Sequence, residues 1–280
     1  MIEPLQRDAV FLADVTATMA RRDGVSLWWL GQSGYLIAYD GVCIAIDPYL
    51  SDSLTVKYAN TNKPHLRMGR RVVDPSLLDM VSLVTSSHNH TDHLDAETIG
   101  PMMQANPELQ IVCSQANVAF AAERLGVVQS RVTGVGRGSP LTHGPFCLHV
   151  VPAAHNTREQ DADGHERYIG LVIEVGGVTI YHSGDTLCYP ELVSELAPWA
   201  IDVALLPING NDPARGVAGN LSAQEAVDVA LQIGAKCLIP CHYDMFTFNT
   251  VDPAECVQDA LQRDQPCQAL RLGERYDVIR

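Results

Sequence analysis

The chain has 280 residues, 46% of them hydrophobic, so it can bury a sizeable core, and disorder is excluded as its default state. Its formal net charge of −14 and pI near 5.0 would repel a phosphate backbone, which argues against a nucleic acid partner but leaves room for a local basic pocket. No apolar run reaches about 18 residues, and the N-terminus MIEPLQRDAVFLADV lacks the basic and apolar regions of a signal peptide. We therefore expect a cytoplasmic protein with no membrane partner.

The first predicted element is a docking helix over residues 4–22, where apolar side chains recur in a loose helical stripe. These side chains are Leu5, Val10, Leu12, Val15 and Met19. Three short apolar runs follow, SLWWLG, YLIAYD and VCIAID. Asp40-Gly41, between the second and third runs, is a two-residue hairpin signal, so the runs predict an antiparallel meander.

Residues 51–74 show no periodicity and concentrate basic side chains in an otherwise acidic chain, which predicts a long basic loop or lid. The basic residues are Lys57, Lys63, Arg67, Arg70 and Arg71. The next run, MVSLVTSS, is apolar enough for a buried strand.

The remaining pattern alternates strands with helices. Helices are predicted near 95–105 and 115–125, after Pro190, and over 222–233, where Ser222 and Glu225 have capping-box spacing. Strands are predicted near 110–113 and 146–151, in the hairpin YIGLVIEV and VTIYHSGD, and in IDVALLPI and AKCLIP. Two similar halves of this kind predict an α/β sandwich with sheets inside and helices outside, which we treat as one domain over 1–280.

The eight cysteines are scattered, form no CxxC motif, and lie mostly inside apolar runs such as VCIAID and AKCLIP. We therefore expect reduced core residues and no disulfides.

The stretch SSHNHTDHLD places four potential metal ligands within six positions, directly after the predicted buried strand: His88, His90, Asp92 and His93. Chance histidines in a solvated loop are a poor explanation for such density. Side chains at a turn can point in different directions, so the first pair can serve one metal and the second pair a neighbouring one. The loop therefore predicts a site for two metals.

Three further candidate ligands lie where an apolar strand ends and a loop begins, which is the usual position of active-site residues in α/β proteins. His155 follows CLHVVPAA, Asp185 follows VTIYHSG, and His242 follows CLIPC. Singly, each would be unremarkable, because such a His is more often structural and an Asp after Gly more often forms a turn. Together with the cluster they favour a metal centre.

These motifs, HNHTDH, AAHN, HSGDT and PCHYD, resemble in order the metal-binding motifs of the metallo-β-lactamase superfamily. The resemblance implies a four-layer αββα sandwich. It also implies one metal held by His88, His90 and His155, another held by Asp92, His93 and His242, a bridging Asp185, and an Asp47 that supports the metal loop. Ligands of nitrogen and oxygen suit zinc or manganese, and also iron.

Within the superfamily, WWLGQSGYLI, IDPYLSDS, YHSGDT and IDVALLPINGNDPARGVAGNLSAQEA resemble the L-ascorbate 6-phosphate lactonase group. This resemblance implies carbohydrate chemistry: a metal-bound hydroxide opens a sugar or sugar-phosphate lactone, with Asp185 and Asp92 as the catalytic carboxylates. It also implies a homo-oligomer. An anionic substrate needs cationic partners, for which Arg70, Arg71 and Arg215 are candidates by loop position.

Other residues near the motifs have two readings. Asn209 is a further substrate-binding candidate, although turn formation explains most loop asparagines, and most loop arginines are simply solvated. His182 could point towards the site or away from it. The alternative activity is that of a phosphodiesterase or phospholipase-like hydrolase, whose branches use the same HxHxDH loop. A metal-binding scaffold and a redox di-iron protein are disfavoured, the first by the complete ligand set and the second by Asn89.

Overall fold

The computed structural model describes residues 1–21 and 23–278, and within them it has thirteen strands and seven α-helices. The strands are β1 (Val25–Gly31), β2 (Gly34–Tyr39), β3 (Val42–Ile46), β4 (Val81–Ser86), β5 (Gln110–Ser114), β6 (Val132–Val135), β7 (Leu141–His143), β8 (Phe146–Pro152), β9 (Ile169–Val175), β10 (Val178–His182), β11 (Val203–Pro207), β12 (Cys237–Cys241) and β13 (Arg275–Val278). The α-helices are α1 (Asp8–Arg21), α2 (Ser53–Tyr58), α3 (Ala96–Ala105), α4 (Val118–Leu125), α5 (Leu192–Leu196), α6 (Ala223–Gln232) and α7 (Pro253–Gln262).

The strands form two sheets. One has the order β13-β1-β2-β3-β4-β5-β6 and the other β12-β11-β10-β9-β8-β7. Strands β3 to β6 run parallel to one another, as do β10 to β12. One hydrophobic cluster contains residues of both sheets, among them Leu36 and Ile180, which are fully buried. The core therefore lies between the sheets.

The helices cover the outer faces. Helix α4 contacts β5 and β6, and α3 contacts α4, while α6 contacts β11 and β12 and α7 contacts α6. The layers thus run helix, sheet, sheet, helix, and the predicted αββα sandwich is confirmed.

The predicted meander of β1, β2 and β3 is also confirmed. Asp40 and Gly41 both adopt positive φ, at 48° and 80°, which is the conformation that a two-residue hairpin turn requires. At the start of α6, the Ser222 side chain accepts from the Glu225 backbone N–H and the Glu225 carboxylate accepts from the Ser222 N–H, so the predicted capping box is present.

The N-terminal helix is shorter than the predicted 4–22. It begins at Asp8, because the preceding backbone bonds to other segments: Ile2 donates to the Met68 carbonyl and Leu5 to the Leu272 carbonyl. Its buried side chains include Phe11 and Val15, whereas Leu5 and Val10 of the predicted stripe are exposed. Residue 22 lies outside the described residues.

The segment 51–74 was expected to be a long loop or lid without regular structure, but it contains the six-residue helix α2. Beyond α2 the chain is fixed by isolated bridges, between Arg67 and Phe246 and between Ile2 and Gly69. Strands β6, β7 and β13 and helix α7 have no counterpart in the prediction.

All eight cysteines lie in the described part of the chain and are unbridged, as predicted. Five are buried, but Cys188 is exposed and so is not the core residue that was expected. Over the described ranges, the structure contains no helix of the length and apolarity that crossing a membrane demands.

Candidate metal centre

The predicted ligands gather at one edge of the sandwich, because the strands that precede them end there. Asp47 follows β3 and the histidine cluster follows β4, and these two strands are parallel neighbours. His155 follows β8, Asp185 follows β10, and His242 follows β12 in the facing sheet. Strand ends of the same direction meet at one edge, so side chains far apart in sequence converge.

The structure brings six of these side chains together as two triads. One triad is His88, His90 and His155, and the other is Asp92, His93 and His242. In each triad the ligand atoms lie within 4.8 Å of one another, a spacing that suits a shared ion.

Asp185 stands between the triads. Its Oδ2 lies 3.7 Å from Nε2 of His155 and 3.5 Å from Nε2 of His242, and its Oδ1 lies 3.3 Å from Nε2 of His93. A carboxylate in contact with both groups is placed to join two neighbouring cations.

Hydrogen bonds from outside the triads orient their rings. Nδ1 of His155 lies 2.9 Å from the Gly219 carbonyl oxygen, which can only accept, so this nitrogen carries the hydrogen. Nδ1 of His93 lies 2.6 Å from Asp47 Oδ2 in the same way. Each contact leaves Nε2 free to face the centre, as metal-binding histidines require.

Gln32 is a member of the site that the sequence analysis missed. Its amide nitrogen donates to Asp92 Oδ2 at 2.8 Å and lies 3.0 Å from Nε2 of His242, so it contacts two members of one triad. Gln32 directly follows β1, and its position at a strand end is the signal that could have identified it.

The buried polar atoms of the centre fit a bound cation. Nε2 of His88 is buried and has no hydrogen-bond partner within the described structure, and such an orphaned nitrogen is costly unless a ligand meets it. Burial and the neighbouring histidines hold the pKa of His88 well below its usual value, which favours the neutral imidazole that metals bind. Burial alone would raise the pKa of Asp185, but His93 and His242 hold it well below its usual value, so this carboxylate is ionised.

His182 has a structural role. Its Nε2 donates to the Ser33 carbonyl at 2.8 Å, and its Nδ1 accepts from the Gly184 N–H at 3.2 Å, so both nitrogens are satisfied away from the triads. This arrangement decides between the two orientations that the sequence left open.

A cavity of about 360 Å³ opens over the centre and is lined by ligands from both triads. Three cationic side chains also line it, Lys57, Lys63 and Arg124. Arg124 donates to the carbonyl oxygens of Asn89 and Leu94 and so holds the metal loop. Within the described residues, neither lysine forms an ion pair with a carboxylate.

Arg70 and Arg71 lie elsewhere. They line a different cavity, where Arg70 pairs with Glu3 at 3.4 Å and Arg71 with Asp74 at 3.0 Å. The segment 51–74 does contribute positive charge to the metal cavity, but through Lys57 and Lys63 instead of the two arginines. The reason is that α2 and the residues after it line this cavity, whereas 67–71 is held by bridges to Ile2 and Phe246.

Asn209 and Arg215 do not line the metal cavity, but both contact a residue that does. Asn209 donates to the side-chain oxygen of Asn249 at 3.0 Å, and Arg215 donates to the same oxygen. They are therefore placed to position Asn249.

Comparison with known proteins agrees with this geometry. The family model described as "Beta-lactamase superfamily domain" matches residues 44–243, so the chain belongs to the metallo-β-lactamase superfamily. A relative from Hyperthermus butylicus, described as a UPF0173 metal-dependent hydrolase, is 29% identical over 255 residues, which cover 89% of this chain and 97% of that protein. The chain is a metal-dependent hydrolase of this superfamily.

Solved structures share the fold. Igni18, a metallo hydrolase from Ignicoccus hospitalis, superposes with a TM-score of 0.65 at 23% identity, over 91% of this chain and 98% of that one. The metallo-β-lactamase fold protein YhfI from Bacillus subtilis superposes with a TM-score of 0.66 at 18% identity, over 91% of this chain and all of that one.

Proposed function

We propose that this metal-dependent hydrolase opens a small anionic lactone, such as that of a sugar acid or a sugar phosphate, with two divalent ions bound at the triads. The observation that carries the proposal is the placement, on the same cavity as both triads, of two lysines that form no ion pair within the described residues. The lactonase-like motifs noted in the sequence point to the same substrate class.

The cavity suits a small molecule. Its volume of about 360 Å³ is near the lower end of the roughly 300–1,000 Å³ found for ligand pockets. Its lining combines the positive charge of the lysines with the carboxylates Asp92 and Asp185. A substrate with an anionic group at one end and an ester carbonyl at the other fits this distribution of charge.

The residues of the centre have separable tasks. His88, His90 and His155 would hold one ion, Asp92, His93 and His242 the other, and Asp185 would contact both. Two divalent ions bound there would supply an activated water at neutral pH and would polarise the ester carbonyl. Asp185, ionised and in contact with both triads, accepts a hydrogen bond from the attacking water and orients it. Gln32 keeps Asp92 in position, and Lys57 and Lys63 hold the anionic end of the substrate.

The experiment compares two substrate panels on protein reconstituted with zinc, manganese or iron. One panel contains sugar lactones with and without a phosphate, and the other contains simple phosphodiesters. Asp185→Ala is the blank, and Asp79→Ala, at an exposed carboxylate that belongs to neither triad and does not line the metal cavity, is the matched control. Lactone turnover that is lost in Asp185→Ala but kept in Asp79→Ala supports the proposal, whereas phosphodiester turnover without lactone turnover overturns it.

A further inference from the structure

His65 is a histidine of the metal cavity that belongs to neither triad. It lies between α2 and the bridge at Arg67, and its side chain lines the cavity together with Asp92, Asp185 and His242. No motif in the sequence marks this residue, because it stands alone in an irregular segment.

The tautomer of His65 follows from one contact. Its Nδ1 lies 2.7 Å from the carbonyl oxygen of Lys63. A carbonyl oxygen can only accept, so Nδ1 carries the hydrogen and Nε2 of the neutral ring has a free lone pair.

Aromatic rings fix the imidazole on several sides. Tyr58 stacks on it with ring centroids 4.4 Å apart, and Phe246 and Phe248 contact it at 5.2 Å and 5.0 Å. A ring held by this clamp, which we define as Tyr58, Phe246 and Phe248, has little freedom to rotate. Such preorganisation is what a proton-transfer group requires.

The surroundings favour a neutral ring before the reaction. Burial lowers the pKa of His65, the Lys63 carbonyl and Asp92 act in the opposite direction, and His242 and Lys57 lower it further, so that the pKa lies below its usual value. Asp92, whose charge raises the pKa of His65, would stabilise an imidazolium formed during turnover.

We propose that His65 carries the proton between the attacking water and the leaving ring oxygen of the lactone, an inference that rests on the proposed function. As the oxygen of the water bonds to the acyl carbon, one of its O–H bonds breaks and that proton moves to Nε2. As the bond between the acyl carbon and the ring oxygen breaks, Nε2–H gives the proton to that oxygen. The products are a hydroxy acid, whose carboxyl proton goes to solvent, and a neutral His65.

The competing explanation is that His65 only completes the aromatic clamp. Leaving-group dependence separates the two roles, because an alkoxide needs a proton on departure and a nitrophenolate does not. The variants are His65→Gln, which removes proton transfer, and Phe248→Leu, which loosens the clamp but keeps the imidazole. Metal content and the urea unfolding midpoint are measured for each, so that a folding or metal defect is recognised.

For His65→Gln with normal metal content, we expect kcat on the lactone to fall about 10²- to 10⁴-fold with little change in KM, and a much smaller loss on a nitrophenyl ester. Imidazole should restore part of the lactone activity of His65→Ala. Equal losses on the two substrates, or losses matched by Phe248→Leu, would overturn the role. If the wild-type protein cleaves phosphodiesters and no lactone, the proposed function fails. The role of His65 is then tested by comparing the loss of activity of His65→Gln on alkyl phosphodiesters with its loss on nitrophenyl phosphodiesters.

Discussion

Oδ2 of Asp47 lies 2.6 Å from Nδ1 of His93, and both side chains are completely buried. The other oxygen of Asp47 accepts from the Ser87 N–H at 2.8 Å, so one carboxylate holds both the start of the metal loop and its last histidine. Asp47 itself is in the left-handed region, with φ of 42°, a conformation that Asp tolerates better than most residues. This carboxylate thus supports the loop without being a member of either triad.

Replacing Asp47 should therefore weaken metal binding without removing a ligand. In Asp47→Asn the amide can still accept, but the charge that sets the tautomer of His93 is lost, and we expect metal affinity to fall about 10- to 100-fold. Competition with a chromogenic chelator measures the affinity of each site. Asp79→Asn, at an exposed carboxylate, is the control. Unchanged affinity of the site formed by Asp92, His93 and His242 would show that Asp47 does not act through His93.

The contact between Asp47 and His93 also illustrates what the sequence could predict. The ligand loop follows a strong apolar strand, β4, and the other ligands follow β8, β10 and β12, so local patterns placed each of them at a strand end. Parallel directions within each sheet then bring these ends to one edge. The seven candidate ligands that the structure brings together could therefore be predicted from strand patterns combined with the order of the motifs.

Elements that depend on contacts between distant parts of the chain could not be predicted from local sequence patterns. Strand β13, with the sequence RYDV, has little apolar pattern, and it forms because it pairs with β1 at the opposite end of the chain. The path of the segment 51–74 depends on contacts with Phe246 and Ile2. The positions of its basic residues in the sequence therefore could not predict which of them line the metal cavity. The role of Gln32 depends on the approach of Asp92 and His242 from other strands.

Charge reversal distinguishes the roles of two basic pairs in the segment 51–74, the lysines that line the metal cavity and the arginines that do not. Lys57→Glu and Lys63→Glu should each raise KM for an anionic lactone about tenfold, since a hydrogen bond to a charged group contributes about 1.5–3 kcal/mol and these lysines are partly solvated. A neutral lactone should be affected much less. Initial-rate kinetics on the two lactones measure the effect.

Arg70→Glu and Arg71→Glu are the matched controls for that experiment, because they change the same charge in the same segment but line a different cavity. We expect them to leave KM nearly unchanged. If the arginine variants raise KM as much as the lysine variants do, the effect is one of overall charge, and the lysines do not contact the anion.

Substitution of Gln32 tests whether its hydrogen bond holds Asp92 in position. Gln32 has φ of 52°, so Gln32→Asn is the suitable change: Asn tolerates this conformation and keeps the amide, but is one methylene too short to reach Asp92. We expect the affinity of the site formed by Asp92, His93 and His242 to fall about 10-fold or more, with the other site less affected. Metal titration followed by calorimetry resolves the two sites, and Gln129→Asn on the surface is the control. Equal weakening of both sites would point to a general loss of stability.

His143 should make the stability of the sandwich depend on pH. It lies on β7 of one sheet and bonds to the other sheet, with Nε2 2.8 Å from Ser82 Oγ and Nδ1 3.0 Å from Gln110 Oε1. Burial lowers the pKa of His143 in the folded state, so below about pH 6.5, the usual value for histidine, the unfolded chain binds more protons at this residue. The contribution of His143 to the free energy of unfolding is fully present above about pH 6.5 and is lost as the pH falls towards the folded pKa.

The difference in unfolding free energy between wild type and His143→Gln, from urea titrations, should therefore be larger at roughly pH 7.5 than at roughly pH 5. The other histidines titrate in both proteins and cancel, and His165→Gln serves as a second reference. A difference independent of pH would mean that His143 titrates alike in the folded and unfolded chains.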